Sequence, residues 1–314
     1  MIMFRNLFIY FCGTKHKSNQ LMKRFYMNLL YVAVILAVFG AYACKNPINK
    51  YGSPKGYDFS KPDKFNMPSS LLEISGIAFY KGVSDTVYSI QDEDGKLFRQ
   101  KWDVKKQYNM KFAPKGDFED LAIFNEMVFV LKSNGAIYSF PFTEAVKKES
   151  DRVKERKGLV PKGEYEGMYA DPQTNKIYIL CKSCELDKKM KQVTGYVFDY
   201  KVESDSLIAV GDFKIDLSQL KKLNPKLKLS LNPSALAKNP KTGEWYVLSS
   251  TNKLLLVTDA NWKIVAAHKL NSSIFNQPEG IAFDQQLNLY ISNEGDEVND
   301  GNILKFRYLH STKK

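Results

Sequence analysis

Residues 277–283 read Gln-Pro-Glu-Gly-Ile-Ala-Phe, and the same seven-residue cadence stands at four earlier places: EISGIAF at 73–79, DFEDLAI at 117–123, EYEGMYA at 164–170 and NPSALAK at 232–238. Its order is polar, apolar or proline, serine or glutamate, small, apolar, then mostly alanine. Counted on the fourth position (Gly76, Asp120, Gly167, Ala235, Gly280), the steps are 44, 47, 68 and 45 residues. Three of the four steps approach the length of a four-stranded propeller blade.

Each copy leads into an alternating apolar strand (TVYSI, EMVFVL, KIYIL, EWYVLS, NLYIS), a polar turn, and a second strand dense in aromatic and β-branched residues (KLFRQKW, AIYSFPF, GYVFDYKV, LLLVTD, NILKFRY). Strand, turn and strand repeated five times predict an all-β chain, a five-bladed β-propeller with short helical insertions. A six-bladed ring is the alternative. The small fourth residue has a physical reason: innermost strands crowd around the axis, where a larger side chain would clash. Asp120 breaks that rule and is a candidate site residue on that ground.

Residues 57–309 number 253, so five blades of about 45 residues leave roughly 28 over. The 68-residue step absorbs most of the excess at residues 217–231, LSQLKKLNPKLKLSL, whose leucine spacing predicts a short amphipathic helix after the fourth strand of blade three. A second helical insertion is expected in blade two at residues 144–157. The last blade lacks an outer strand of its own, and residues 63–67 are expected to complete it and close the ring.

The five segments, with the turns SIQDEDG and ISNEGD, resemble the SdiA-regulated, YjiK/CarP-like family of bacterial envelope propellers over about residues 65–309. The EGIAFD string alone also recurs in NHL-repeat and gluconolactonase-like propellers, the source of the six-bladed alternative. The resemblance implies an exported or membrane-anchored propeller linked to calcium, with no assigned reaction.

The address is read separately. Lys23 and Arg24 precede an uncharged stretch, residues 29–43 (LLYVAVILAVFGAYA), that ends in small residues before Cys44. This is the anatomy of a bacterial export signal, shorter than the roughly 20 residues of a membrane-spanning helix. Ala41-Tyr42-Ala43-Cys44 resembles a lipoprotein signal box, which would make Cys44 the lipidated first residue of the mature chain. Ordinary cleavage with Cys44 free, or an uncleaved anchor, are the other readings. Met22 opens a signal peptide of normal length, so residues 1–21 read as a mis-called start. The expected organisation is therefore signal peptide 1–43, lipidated cysteine and tether 44–60, propeller 61–310 and tail 311–314. The expected location is the cell envelope, held to a membrane by the anchor.

The chain has 314 residues, 44% hydrophobic and 25% charged, which supplies a full core and excludes a disordered or disulfide-stapled miniprotein. Beyond residue 44 it carries 41 basic and 34 acidic residues. The lysine runs mix with acids or lie in helical stretches and read as solvated faces, with attraction to anionic lipid or polysaccharide as their functional version. Export argues against nucleic acid as a partner.

Within this basic chain, acids gather at the starts of the innermost strands: Glu73, Asp117, Glu119, Asp120, Glu164, Glu166 and Glu279, with Asn232 and Gln277. Closing the ring brings them to one mouth of the axial channel, a set of oxygen ligands suited to Ca2+. Strand-end capping and pairing with lysines is the plainer alternative. A second acidic group lies on the turns of blades one and five: Asp92, Glu93, Asp94, Glu294, Asp296, Glu297 and Asp300. It lacks EF-hand spacing. Cys181-Lys-Ser-Cys184 ends a strand, and in an exported chain a local disulfide is the leading reading, free thiols the other. Zinc would need more ligands than the chain offers nearby. No nucleophile elbow, phosphate loop or dinucleotide fingerprint occurs, so no catalytic residue is assigned. The expected function is a calcium-linked binding module for a small ligand or an envelope protein. A metal-dependent hydrolase of lactones or phosphoesters, using the same carboxylates, is the alternative.

Overall fold

A computed structural model describes residues 51–103 and 106–310. The expected export signal and Cys44 lie outside the described residues. Among the described residues, twenty strands form five antiparallel four-stranded sheets arranged as the blades of a propeller. Blade one is β2 (Ile74–Ala78), β3 (Thr86–Gln91), β4 (Lys96–Lys101) and β5 (Tyr108–Lys111). Blade two is β6 (Phe118–Phe124), β7 (Met127–Lys132), β8 (Ile137–Pro141) and β9 (Lys154–Arg156). Blade three is β10 (Glu164–Asp171), β11 (Lys176–Ser183), β12 (Gln192–Lys201) and β13 (Ser206–Asp216). Blade four is β14 (Ala235–Lys238), β15 (Trp245–Ser249), β16 (Leu254–Thr258) and β17 (Ile264–Lys269). Blade five is β18 (Gln277–Phe283), β19 (Leu289–Glu294), β20 (Asn302–Phe306) and, from the other end of the chain, β1 (Asp63–Asn66).

The seven-residue repeat is therefore the innermost strand of each blade. β1 completes blade five by pairing Asp63 with Lys305 and Asn66 with Asn302. Apolar side chains from facing sheets fill the spaces between blades. Leu236, Trp245, Val247 and Leu256 of blade four, for example, meet Leu180, Val193 and Ile215 of blade three. Packing five such faces, each dense in Ile, Val, Leu and aromatic residues, removes the apolar side of every sheet from water.

The fourth repeat position shows why it must be small. A Cβ on Gly76 would stand 2.6 Å from the backbone nitrogen of Leu121, and one on Gly280 would stand 2.5 Å from the carbonyl oxygen of Ser75. Neighbouring inner strands touch there backbone to backbone.

Three expectations change. Residues 144–157 do not form a helix. A 3-10 turn at Phe142–Val146 is followed by β9, whose Lys154–Arg156 pairs with Ile137–Ser139, because blade two needs an outer strand and only this segment can supply it. The tether reading stops short of residue 60, since Tyr57 and Phe59 are buried against Phe275, Phe306 and Tyr308 beside blade five. Cys181 lies in β11, but Cys184 stands at the start of a helix the sequence reading missed, α1 (Glu185–Met190). The 217–231 insertion does hold helix, a 3-10 turn at Leu217–Gln219 running into α2 (Leu220–Leu223). Leu217, Leu220, Leu227 and Leu231 are its buried anchors.

Candidate functional site

A recurring irregularity in the inner strands builds the site. Pairing between first and second strands slips at Ile74/Ile77, Phe118/Asp120, Tyr165/Gly167 and Pro278/Gly280, in four of the five blades, around the third position of the repeat. Such bulges re-aim a side chain out of strict alternation. The third position is Ser75, Glu119, Glu166, Ser234 and Glu279 in blades one to five. The two serines tie blades together, Ser75 donating to the carbonyl of Glu119 and Ser234 to the carbonyl of Pro278 at 2.8 Å. The three glutamates converge loosely: they feel one another's charge, but among the described residues no three carboxylates bring oxygens within 4.8 Å of one another.

Their ionisation reports that convergence. Burial and the adjoining Glu166 charge push Glu119 up to about 9, with Asp117 adding to the effect. Glu166 rises to about 7, mainly by burial, against the pull of the Lys182 ammonium, which donates to its Oε1. Glu279 is raised by burial, offset by the hydroxyls of Ser250 and Ser234 and by Lys182 and Lys253. Burial and the charges of Glu279, Asp92 and Glu73 carry Glu294 to about 8. Asp92 rises to about 6 for the same reasons, burial first and then Glu73. Its Oδ1 is buried and accepts no hydrogen bond among the described residues.

The two acidic groups of the sequence are thus regrouped. Glu119, Glu166 and Glu279 share one mouth with Asp92, just past the end of β3, and Glu294, the last residue of β19, and Glu73 and Asp117 stand exposed at the lip. Glu164 is also exposed at the strand start. Asn232 is half-buried, its backbone N–H donating to Asn252 Oδ1. Glu93 leaves the mouth for Lys115 at 3.0 Å, and Asp94 for Lys96 at 2.8 Å. Asp296 accepts from the Asn299 side-chain amide, from the N–H groups of Val298 and Asn299 and from Asn276, a turn cap that lowers it to about 2.

Asp120 behaves differently from the other acids. It is buried at the axis, where Oδ1 accepts from Leu121 N at 2.8 Å and Oδ2 from Met168 N at 2.7 Å, and where the Leu236 N–H lies near enough to favour its charge. Those N–H groups belong to the inner edges of blades two, three and four. Burial still raises its pKa well above the ordinary range. Asp120 closes the channel below the mouth.

Sequence reasoning missed Lys182 and Lys253, the cations among these acids. Lys182 lies between Cys181 and Cys184, which are joined by a disulfide with Cα atoms 6.0 Å apart. The recurring polar turn after each second strand was the available signal, since that turn faces the same mouth as the start of the inner strand.

Fold and site together define a five-bladed propeller with a carboxylate-lined mouth. The family model described as SdiA-regulated matches residues 165–297, from blade three to blade five, in agreement with the resemblance carried by the repeat. Similar solved structures include glutaminyl cyclase from Myxococcus xanthus (13% identity, TM-score 0.50, covering 79% of this chain and 96% of that one). Regucalcin from Agrobacterium tumefaciens, titled a calcium-binding protein, is similar at 10% identity and TM-score 0.48, over 81% and 93% of the two chains. A luciferin-regenerating enzyme is similar at 10% identity and TM-score 0.48, over 79% and 96%. At these identities the likeness is one of fold. No curated protein matches the chain.

Proposed function

We propose that the protein is an exported, lipid-anchored binding module of the bacterial cell envelope that holds a calcium ion at the carboxylate-lined mouth and there receives a small ligand or an envelope protein. The observation that carries this reading is the crowding of Glu119, Glu166, Glu279, Glu294 and Asp92 at one mouth, where burial first and like charge second keep Glu119, Glu294 and part of Glu166 protonated near neutrality. Carboxylates forced together against burial and like charge are relieved by a cation. The donors are of the kind a hard ion takes, six to eight oxygens at a time; among the described residues no three of these carboxylates have oxygens within 4.8 Å of one another, so binding would draw them in, and the unpartnered buried Oδ1 of Asp92 is the kind of atom such an ion satisfies. Glu119, Glu166, Glu279, Glu294 and Asp92 would hold it, with the Asn232 amide and the lip acids Glu73 and Asp117 at hand. A bound divalent ion would supply positive charge to which an anionic or carbonyl oxygen of the ligand can attach. Lys182 and Lys253 occupy part of that role when no ion is bound.

Glu166, titrating at about 7, also fits a general base. The hydrolase reading accordingly predicts turnover that is lost both on chelation and in Glu166→Gln.

Calorimetric titration of calcium into chelator-treated protein tests the proposal. Saturable binding near micromolar, accompanied by a rise in melting temperature and lost in Glu119→Gln/Glu166→Gln, is expected. Absence of both heat and thermal shift in the wild type would reduce the acids to strand capping and overturn the reading.

A further inference from the structure

The other end of the axial channel is chemically the reverse of the acidic mouth. Where the five inner strands end and turn outward, they enclose a cavity of about 440 Å³. Its wall comes from equivalent positions of all five blades, with Ile77, Leu121, Met168, Leu236 and Ile281 at the fifth repeat position. Ala78, Ala122, Ala237 and Ala282 hold the sixth position, and Tyr169 replaces alanine in blade three. Asp120, hydrogen-bonded to the inner edges of blades two and three, separates this funnel from the acids.

We propose that the funnel is a second binding site, for a small, uncharged, largely apolar organic molecule carrying a hydrogen-bonding group. Three observations define the occupant. The volume lies in the range of small-molecule pockets, roughly 300–1,000 Å³. The charges on the wall are already paired internally. Lys81 meets Glu126 at 2.8 Å, with the Tyr80 hydroxyl also donating to Glu126, and Lys238 meets the buried Asp171 at 2.9 Å. A charged ligand would lose its hydration with no free counter-charge to replace it, so the funnel selects against charge. The Tyr169 ring is held edge-on to Trp245 with centroids 5.3 Å apart, half-buried in the wall where burial raises its pKa, and its hydroxyl has no hydrogen-bond partner among the described residues. One polar group in an apolar wall fixes the orientation of a bound molecule.

A matched pair of fluorescent probes tests this. N-phenyl-1-naphthylamine is neutral, and 8-anilinonaphthalene-1-sulfonate carries the same aromatic body with a sulfonate. The neutral probe is expected to bind saturably with stoichiometry one, and the sulfonated one at least ten-fold more weakly. Ile123→Trp, at a half-buried wall position, should abolish the enhancement. Tyr169→Phe keeps the ring packing and should weaken binding several-fold, while Glu119→Gln/Glu166→Gln at the opposite mouth leaves it unchanged. Circular dichroism and melting of each variant separate loss of the site from loss of the fold. Equal affinity for the two probes, or saturable binding that survives Ile123→Trp in a folded protein, would overturn the proposal, as would no enhancement in the wild type.

Discussion

Asp120 occupies a position that is glycine or alanine in the other four blades, and its carboxylate accepts N–H groups from two inner strands, with the Leu236 N–H of a third nearby. Inner edges of a propeller leave backbone donors pointing at the axis with no neighbouring strand to receive them, and a buried donor without a partner costs about 1–3 kcal/mol. Asp120→Ala orphans the Leu121 and Met168 donors, so a loss of at least about 2 kcal/mol is expected in urea unfolding if each orphan costs about 1 kcal/mol. A loss within about 0.5 kcal/mol would show that the donors find other partners. The sequence marked Asp120 as an anomaly and grouped it with the mouth acids. Its role as the axial plug depends on which edges face it, and a single chain read in order does not reveal that.

Among the strands, the repeat made the inner ones, their successors and the closing strand β1 legible, because a period of about 45 residues survives changes in individual side chains. The convergence of acids was legible only in outline. Strict alternation places the first and third repeat positions, Asp117 and Glu119 in blade two, on one face, whereas the bulge at the third position separates them into an exposed lip and a half-buried ring. Bulges leave no mark in composition. The 144–157 segment misled for a related reason: its charges recur at helical spacing, yet three of its residues are recruited as an outer strand.

The disulfide acts at the same level. It joins the end of β11 to the start of α1 and closes a loop of sequence separation 3. A loop that short restricts the unfolded chain modestly, by about 2 kcal/mol on the chain-entropy estimate. Cys181→Ala/Cys184→Ala is expected to lower the urea midpoint by a corresponding amount, and reductant should reproduce the loss in the wild type and leave the variant unaffected. A midpoint unmoved by reductant would mean that the bond contributes nothing to stability.

Across the protein, the acids of the mouth set how stability depends on pH. In an unfolded chain these carboxyls release their protons near pH 4. In the folded protein Asp92, Glu166, Glu294 and Glu119 keep theirs to about 6, 7, 8 and 9. The native state therefore binds more protons than the unfolded one between these limits. This contribution is complete below about pH 4, begins to be lost as the pH rises above it, and is gone once the pH has passed through about 6 to 9. Chelator-treated protein should melt at progressively lower temperature from about pH 6 to pH 9, and calcium should flatten that slope. A flat profile without metal would contradict the raised carboxyls.

Pairing β1 with β20 imposes an order in time. Arg307 reaches Asp63 at 2.9 Å across 244 positions of sequence, so the earliest strand of the propeller to be synthesised waits for the latest before it acquires a neighbour. Until then the nascent chain keeps open strand edges, the kind of surface that invites wrong partners. A product broken off before residue 302 has nothing to dock β1 against, whatever the quality of its finished blades. Ring closure thus acts as a length check, admitting to the folded population only chains that have been read through to their final strand.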